Sequence, residues 1–218
     1  MSVIKATFGK VITAVSKTAP YKYFVRHVLP KMQWRKKRYS KSYMNFKYLQ
    51  LVQELNVHFK DVRYAPGVVI STRDSSRVSG LVVPTDLDHT ALISCWDEKE
   101  SDFKIVQALA DGVVETYLQD LLVDCEGFVA HVGAKWGYDY RLHMVEIARS
   151  FIGKPYDSEF QFGVEALYCS EIVYLADKEK IVKYDTSDLA GIGTKYISPK
   201  GITEGVGMLK LFDSEIEL

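Results

Sequence analysis

Apolar positions along the chain change their period near residue 60. Within residues 2–18, Ile4, Phe8, Val11, Ile12 and Val15 recur at helical spacing, Lys5, Lys10 and Lys17 fall elsewhere, and Pro20 ends the pattern, which predicts an amphipathic helix. A second helix is expected from Pro30 or Lys31 to about Asn56, basic at Arg35, Lys36, Lys37 and Arg38 and then apolar through Phe46, Leu49, Val52 and Leu55. From Pro66 onward the texture becomes short β-branched runs between turn residues. Strands are predicted at Val68–Thr72, Leu81–Val83, Thr90–Trp96, Phe103–Ala108, Val113–Tyr117 and Phe128–Val132. A helix with Met144, Ile147, Ala148 and Phe151 on one face follows, stopped by Gly153 and Pro155, and another is predicted from Cys169 to about Lys180.

Strands of a small sheet followed by helices predict an α+β fold. The domain division expected is a basic helical N-terminal extension, 1–60, and a catalytic body, 61–218. At 218 residues, with 47% hydrophobic and 26% charged content, the chain is long enough for one substantial core. Its net charge of zero hides an asymmetry, because residues 1–53 hold twelve Lys or Arg and no Asp or Glu. Such an arm suits an acidic partner protein, an anionic membrane or nucleic acid, or it docks on its own acidic body. No apolar run reaches the length of a membrane span, and lysines interrupt residues 2–18 where a secretory signal would stay apolar. The expectation is a protein without a cleaved leader, cytoplasmic or virion-associated.

Three cysteines, Cys95, Cys125 and Cys169, form no Cys-x-x-Cys pair and are odd in number, which argues against a disulfide framework and a structural zinc site. No metal or other cofactor is expected. Cys169 opens a helix whose inward stripe is Ile172, Val173 and Ala176. There the free N–H groups and the helix dipole stabilise a thiolate and can bind an oxyanion. Cys125 lies between Asp124 and Glu126, whose charges oppose ionisation of a thiol.

A thiolate nucleophile needs an imidazole. His27 sits in the basic arm, His58 in the connecting segment and His143 inside a helix, while His131 ends a strand and stays in reserve. His89 stands at the mouth of the run Thr90–Trp96, where reacting groups are commonly displayed. If residues 97–99 turn the chain into a hairpin, Ala91 faces Ile105 and His89 faces Gln107. Gln107, flanked by Val106 and Ala108, would then hydrogen-bond the second ring nitrogen; its alternative is a strand-end cap. Cys95, six residues along the same strand, lies too far from His89 to pair with it.

The segments Asp88-His89-Thr90-Ala91-Leu92-Ile93, Gly153-Lys154-Pro155-Tyr156-Asp157 and Tyr168-Cys169-Ser170-Glu171-Ile172-Val173 resemble the permuted papain-like amidohydrolases, in particular the YiiX-like branch of the NlpC superfamily. The likeness spans about residues 62–205. It implies a circularly permuted papain-like fold, a small antiparallel sheet packed against helices, with the histidine strand before the cysteine helix. Cys169 is then the nucleophile, His89 the base and acid, and Gln107 the third member, where the family often carries Glu. Tyr156, Asp157 and Tyr168 are expected to line the substrate pocket, or else to pin a loop bounded by Pro155. The implied activity is a cysteine amidase or endopeptidase working through a thioester, with peptidoglycan stem peptides as substrate class. Two rival readings remain: thiol-dependent acyl transfer to or from a lipid, with segment 2–18 on the membrane, and an inert virion or nucleic-acid-binding protein.

Overall fold

A computed structural model describes residues 41–74, 87–123, 125–188 and 195–214. Its centre is a six-stranded sheet built from β1 (Val69–Arg73), β2 (His89–Asp97), β3 (Asp102–Leu109), β4 (Gly112–Tyr117), β5 (Gly127–Gly133) and β8 (Met208–Asp213). The spatial order is β4-β3-β2-β1-β5-β8, and every pairing is antiparallel. A short ribbon, β6 (Thr186–Asp188) with β7 (Lys195–Ile197), stands apart. The helices are α1 (Lys41–Phe59), α2 (Leu118–Val123), α3 (Tyr138–Ser150), α4 (Cys169–Ala176) and α5 (Pro199–Thr203). The α+β class and the antiparallel sheet packed against helices are therefore as expected. The predicted helix at 2–18 and strand at 81–83 lie outside the described residues, as does most of the basic arm.

Five of the predicted strands are present. Edge strand β8 escaped prediction because its side chains are half-buried or exposed and carry no clean alternation. The helix opened by Cys169 ends at Ala176 rather than near Lys180. Asp177 ends it: its carboxylate accepts the Tyr140 and Tyr184 hydroxyls at 2.6 and 2.9 Å and the N–H groups of Ile181 and Val182, each at 3.1 Å.

Helix α1 belongs to the main core. Met44, Leu51 and Leu55 are buried in the same cluster as Ile70, Leu92 and Phe128. Tyr48 donates its hydroxyl to Asp102 at 2.7 Å, which ties α1 to the start of β3. No break in packing separates residues 41–60 from the sheet. Helix α3 is anchored by Arg141, whose guanidinium donates to the carbonyls of Tyr64 and Pro66 at 2.8 and 2.7 Å and lies over the Phe59 ring. The chain passes close there: Gly67 has φ +84°, and a Cβ on it would come within 2.6 Å of the Arg141 Cβ.

The β2–β3 hairpin departs from the expected register by two residues. Ala91 faces Gln107 and Ile93 faces Ile105, because the turn falls at 98–101 and a bulge intervenes between Ile93 and Cys95. A shift of two preserves the face to which every side chain points. Past the bulge the face reverses. Cys95 pairs with Lys104, so it lies on the side opposite His89, half-buried beside the Arg149 guanidinium at 3.4 Å.

Candidate active site

Strand register sorts two of the histidines onto opposite faces of the sheet. Thr72 faces His89, and Ile70 faces both Ala91 and Ala130, so these residues share one face of the sheet. Val69 faces Leu92 on one side and His131 on the other, which puts His131 on the reverse face. There it is buried, its Nδ1 has no partner among the described residues, and burial followed by the charge of Lys210 brings its pKa down to about 4. His143 is exposed at 3.5 Å from Glu146, and His58 is exposed too; His27 lies outside the described residues.

His89 is buried, and its Nε2 is 2.7 Å from Gln107 Oε1. The two are diagonal across the strands rather than directly opposite, a separation that long side chains span. The amide nitrogen of Gln107 donates to Thr116 Oγ1 on β4 at 2.7 Å. Thr116 faces Ile105 and so lies on the same side of the sheet. With its NH₂ facing Thr116, Gln107 presents a carbonyl oxygen to His89, so Nε2 carries the hydrogen and Nδ1 is the nitrogen able to take a proton in the neutral ring. Thr116 is a member of the network that pattern reading missed, since nothing in the sequence sets the β3–β4 register to the residue.

Cys169 is buried at the first position of α4, after the extended Tyr168. No side chain caps the helix at Tyr168, so a negative charge at the thiol has first-turn N–H groups to face. Helix α4 packs against β2 and β3, the strands that carry His89 and Gln107. Two bonds hold the start of α4 to β7: the Ser170 hydroxyl donates to the Ile197 carbonyl at 2.6 Å, and the Ile197 N–H donates to the Tyr168 hydroxyl oxygen at 3.2 Å. Tyr196, the residue before Ile197 on β7, is buried, with a hydroxyl lacking a partner among the described residues. Burial, then the nearby Cys169, push its phenol up to about 12.

The three residues expected at the pocket take different places. Tyr168 is fully buried among Phe160 and Tyr196 and presents no surface to a substrate. Asp157 is buried, and its carboxylate receives the N–H groups of Glu159 and Gln161 at 2.8 and 2.6 Å, so it folds the loop. Tyr156 is half-buried, its ring edge-on to Phe160, and its backbone bridges to Leu167, two residues before Cys169. No group of three His, Cys, Asp or Glu side chains among the described residues is arranged to hold a metal ion, and no helix among them is long and apolar enough to cross a membrane.

Residues 63–195 match the family described as permuted papain-like amidase enzyme, YaeF/YiiX, C92 family. The uncharacterized protein YiiX of Escherichia coli K12 is 23% identical over 137 residues, covering 54% of this chain and 63% of that protein. The chain thus spans less than two thirds of that relative. The crystal structure of metalloprotein YiiX from Escherichia coli O157:H7 superposes with a TM-score of 0.55 at 16% identity, over 69% of this chain and 97% of that one. At that identity the likeness is one of fold, and the metal belongs to the description of that protein. With the family matched over well more than half its length, the chain belongs to the C92 permuted papain-like amidases, a family of cysteine hydrolases.

Proposed function

We propose that the protein hydrolyses amide bonds through a thioester on Cys169, with His89 as base and acid and Gln107 as the residue that orients it. The observation that carries this reading is the 2.7 Å contact between His89 Nε2 and Gln107 Oε1, because an amide oxygen at Nε2 makes Nδ1 the basic nitrogen of the ring. In the first half-reaction the Cys169 proton passes to Nδ1 and the thiolate attacks the carbonyl carbon. N–H groups at the start of α4 stabilise the oxyanion. The C–N bond then breaks, and the leaving amine takes the proton from the imidazolium. In the second half-reaction His89 removes a proton from water, which cleaves the thioester, releases the acid and restores the thiol.

Peptidoglycan stem peptides are the substrate class proposed, on the strength of the family likeness. Tyr156, which is only partly buried, is the pocket residue proposed to meet them. The test is Cys169→Ala and Cys169→Ser in the full chain. Both should abolish cleavage of stem-peptide amides and remove the label that a thiol-directed probe leaves on the Cys169 peptide, with Cys95 labelled as before; cleavage persisting unchanged overturns the assignment.

A further inference from the structure

The first turn of α4 holds an acid that the chemistry above does not use. Glu171 is fully buried; its Oε1 accepts the Gly163 N–H at 2.9 Å, and its Oε2 has no partner among the described residues. Gly163 belongs to a loop whose neck is the backbone bridge between Tyr156 and Leu167. Within that loop the amides of residues 159, 161 and 163 are gathered by two buried carboxyl groups. Asp157 takes the first two from the loop's own start, and Glu171 takes the third from the nucleophile's helix. Phe162 rests against Tyr174 of α4 with ring centroids 5.5 Å apart, and the Lys154 ammonium donates to the Val164 carbonyl. The loop runs directly into Tyr168 and Cys169.

We propose that Glu171 is a positioning residue for Cys169: by holding Gly163 it clamps the 157–167 loop to the first turn of α4, so that loop and thiol-bearing backbone move as one body. The proposal rests on the reading of Cys169 as nucleophile. An acid at the third helical position commonly reaches back to the helix start from the surface; this one also faces the Tyr168 backbone N–H, but it is taken fully out of water, at a desolvation cost, and holds a second segment besides. Charge is part of the clamp, because an ionised acceptor makes the stronger hydrogen bond. Burial pushes the Glu171 carboxyl up to about 7 against the pull of the Gly163 N–H, and Asp157 adds to the rise. The ionisable groups around it are the Asp157 carboxyl, the Tyr168 phenol and, through Tyr168, the Cys169 thiol.

Glu171→Gln and Glu171→Ala in the full chain test this through two readouts: hydrogen exchange at the Gly163 amide and the pH profile of Cys169 alkylation by iodoacetamide. Glu171→Ala should lower Gly163 protection about tenfold, the loss of one buried hydrogen bond, and move the alkylation profile toward that of a free thiol. Glu171→Gln, which keeps an acceptor, should restore both but lose the change in Gly163 protection that the wild type shows as pH falls through about 7. Wild-type protection and alkylation in Glu171→Ala overturn the proposal. If that variant does not fold, Glu171→Gln decides, since the same pH response as wild type overturns the role of charge in the clamp. Undiminished hydrolysis by Cys169→Ala would overturn the nucleophile itself, whereas a Gly163 amide indifferent to Glu171 overturns the clamp alone.

Discussion

The histidine half and the cysteine half of the site are built by opposite means. His89, Gln107 and Thr116 come from three strands, and their bonds depend on pairings across two hairpins. Cys169 depends on one continuous run, in which the loop from Pro155 closes on itself and passes into α4, and on two bonds from the start of that helix to Ile197. The first half is specified by side-chain parity, which a shift of two residues leaves intact. The second is specified by individual hydrogen bonds, each of which matters singly. Errors should therefore act in quite different ways in the two halves.

The largest effect should come from breaking either half at its reacting atom. His89→Ala and Cys169→Ala are each expected to lower hydrolysis by about a thousandfold or more, and the double variant by little beyond either alone, because the pair acts as a unit. Additive losses in a steady-state comparison would show that the two residues work separately. Next is the orienting amide. Gln107→Ala should reduce kcat about tenfold to a hundredfold with a smaller change in KM. Gln107→Glu should keep activity and move the alkaline limb of the pH–rate profile upward, because a carboxylate favours the protonated ring. A profile identical to wild type would detach Gln107 from the reaction.

His131 offers a control on the other face of the same sheet. Its pKa is about 4 when folded against 6.5 in the open chain. Between those values the unfolded chain binds a proton that the folded one refuses, so stability falls as pH drops from about 6.5 to about 4, by on the order of 2 kcal/mol. His131→Leu should flatten that slope in denaturant melts and leave hydrolysis untouched; lost hydrolysis would mean that the two faces communicate. The smallest effect is expected of Thr116→Val, which removes one neutral hydrogen bond from Gln107. That is worth about 1 kcal/mol, or roughly fivefold in rate.

Much of this arrangement was legible in the residues. Five strands of the sheet and the helix start at Cys169 follow from apolar period and turn chemistry. The His89–Gln107 bond was foreseen with the wrong register, because the turn falls at 98–101 rather than 97–99; the bulge after Ile93, with no glycine or proline to announce it, takes back one residue of that offset and restores the parity. That same bulge turned Cys95 to the far face, which strand parity alone could not show. Tyr168 beside the nucleophile reads as a pocket residue until its ring is found buried in the aromatic cluster. Glu171 and Thr116 gave no signal in advance, since a polar residue's partner on another element is a property of packing and not of period.

The diagonal reach from His89 to Gln107 bears on how the hairpin between them can change length over evolution. A turn at 98–101 that gained or lost two residues could re-pair without moving any side chain to the other face, and the amide would still come within reach. A change of one residue would turn Gln107 away from His89 unless a bulge compensated. Natural variation in this turn should therefore come in pairs of residues, or arrive together with a second insertion in the strand.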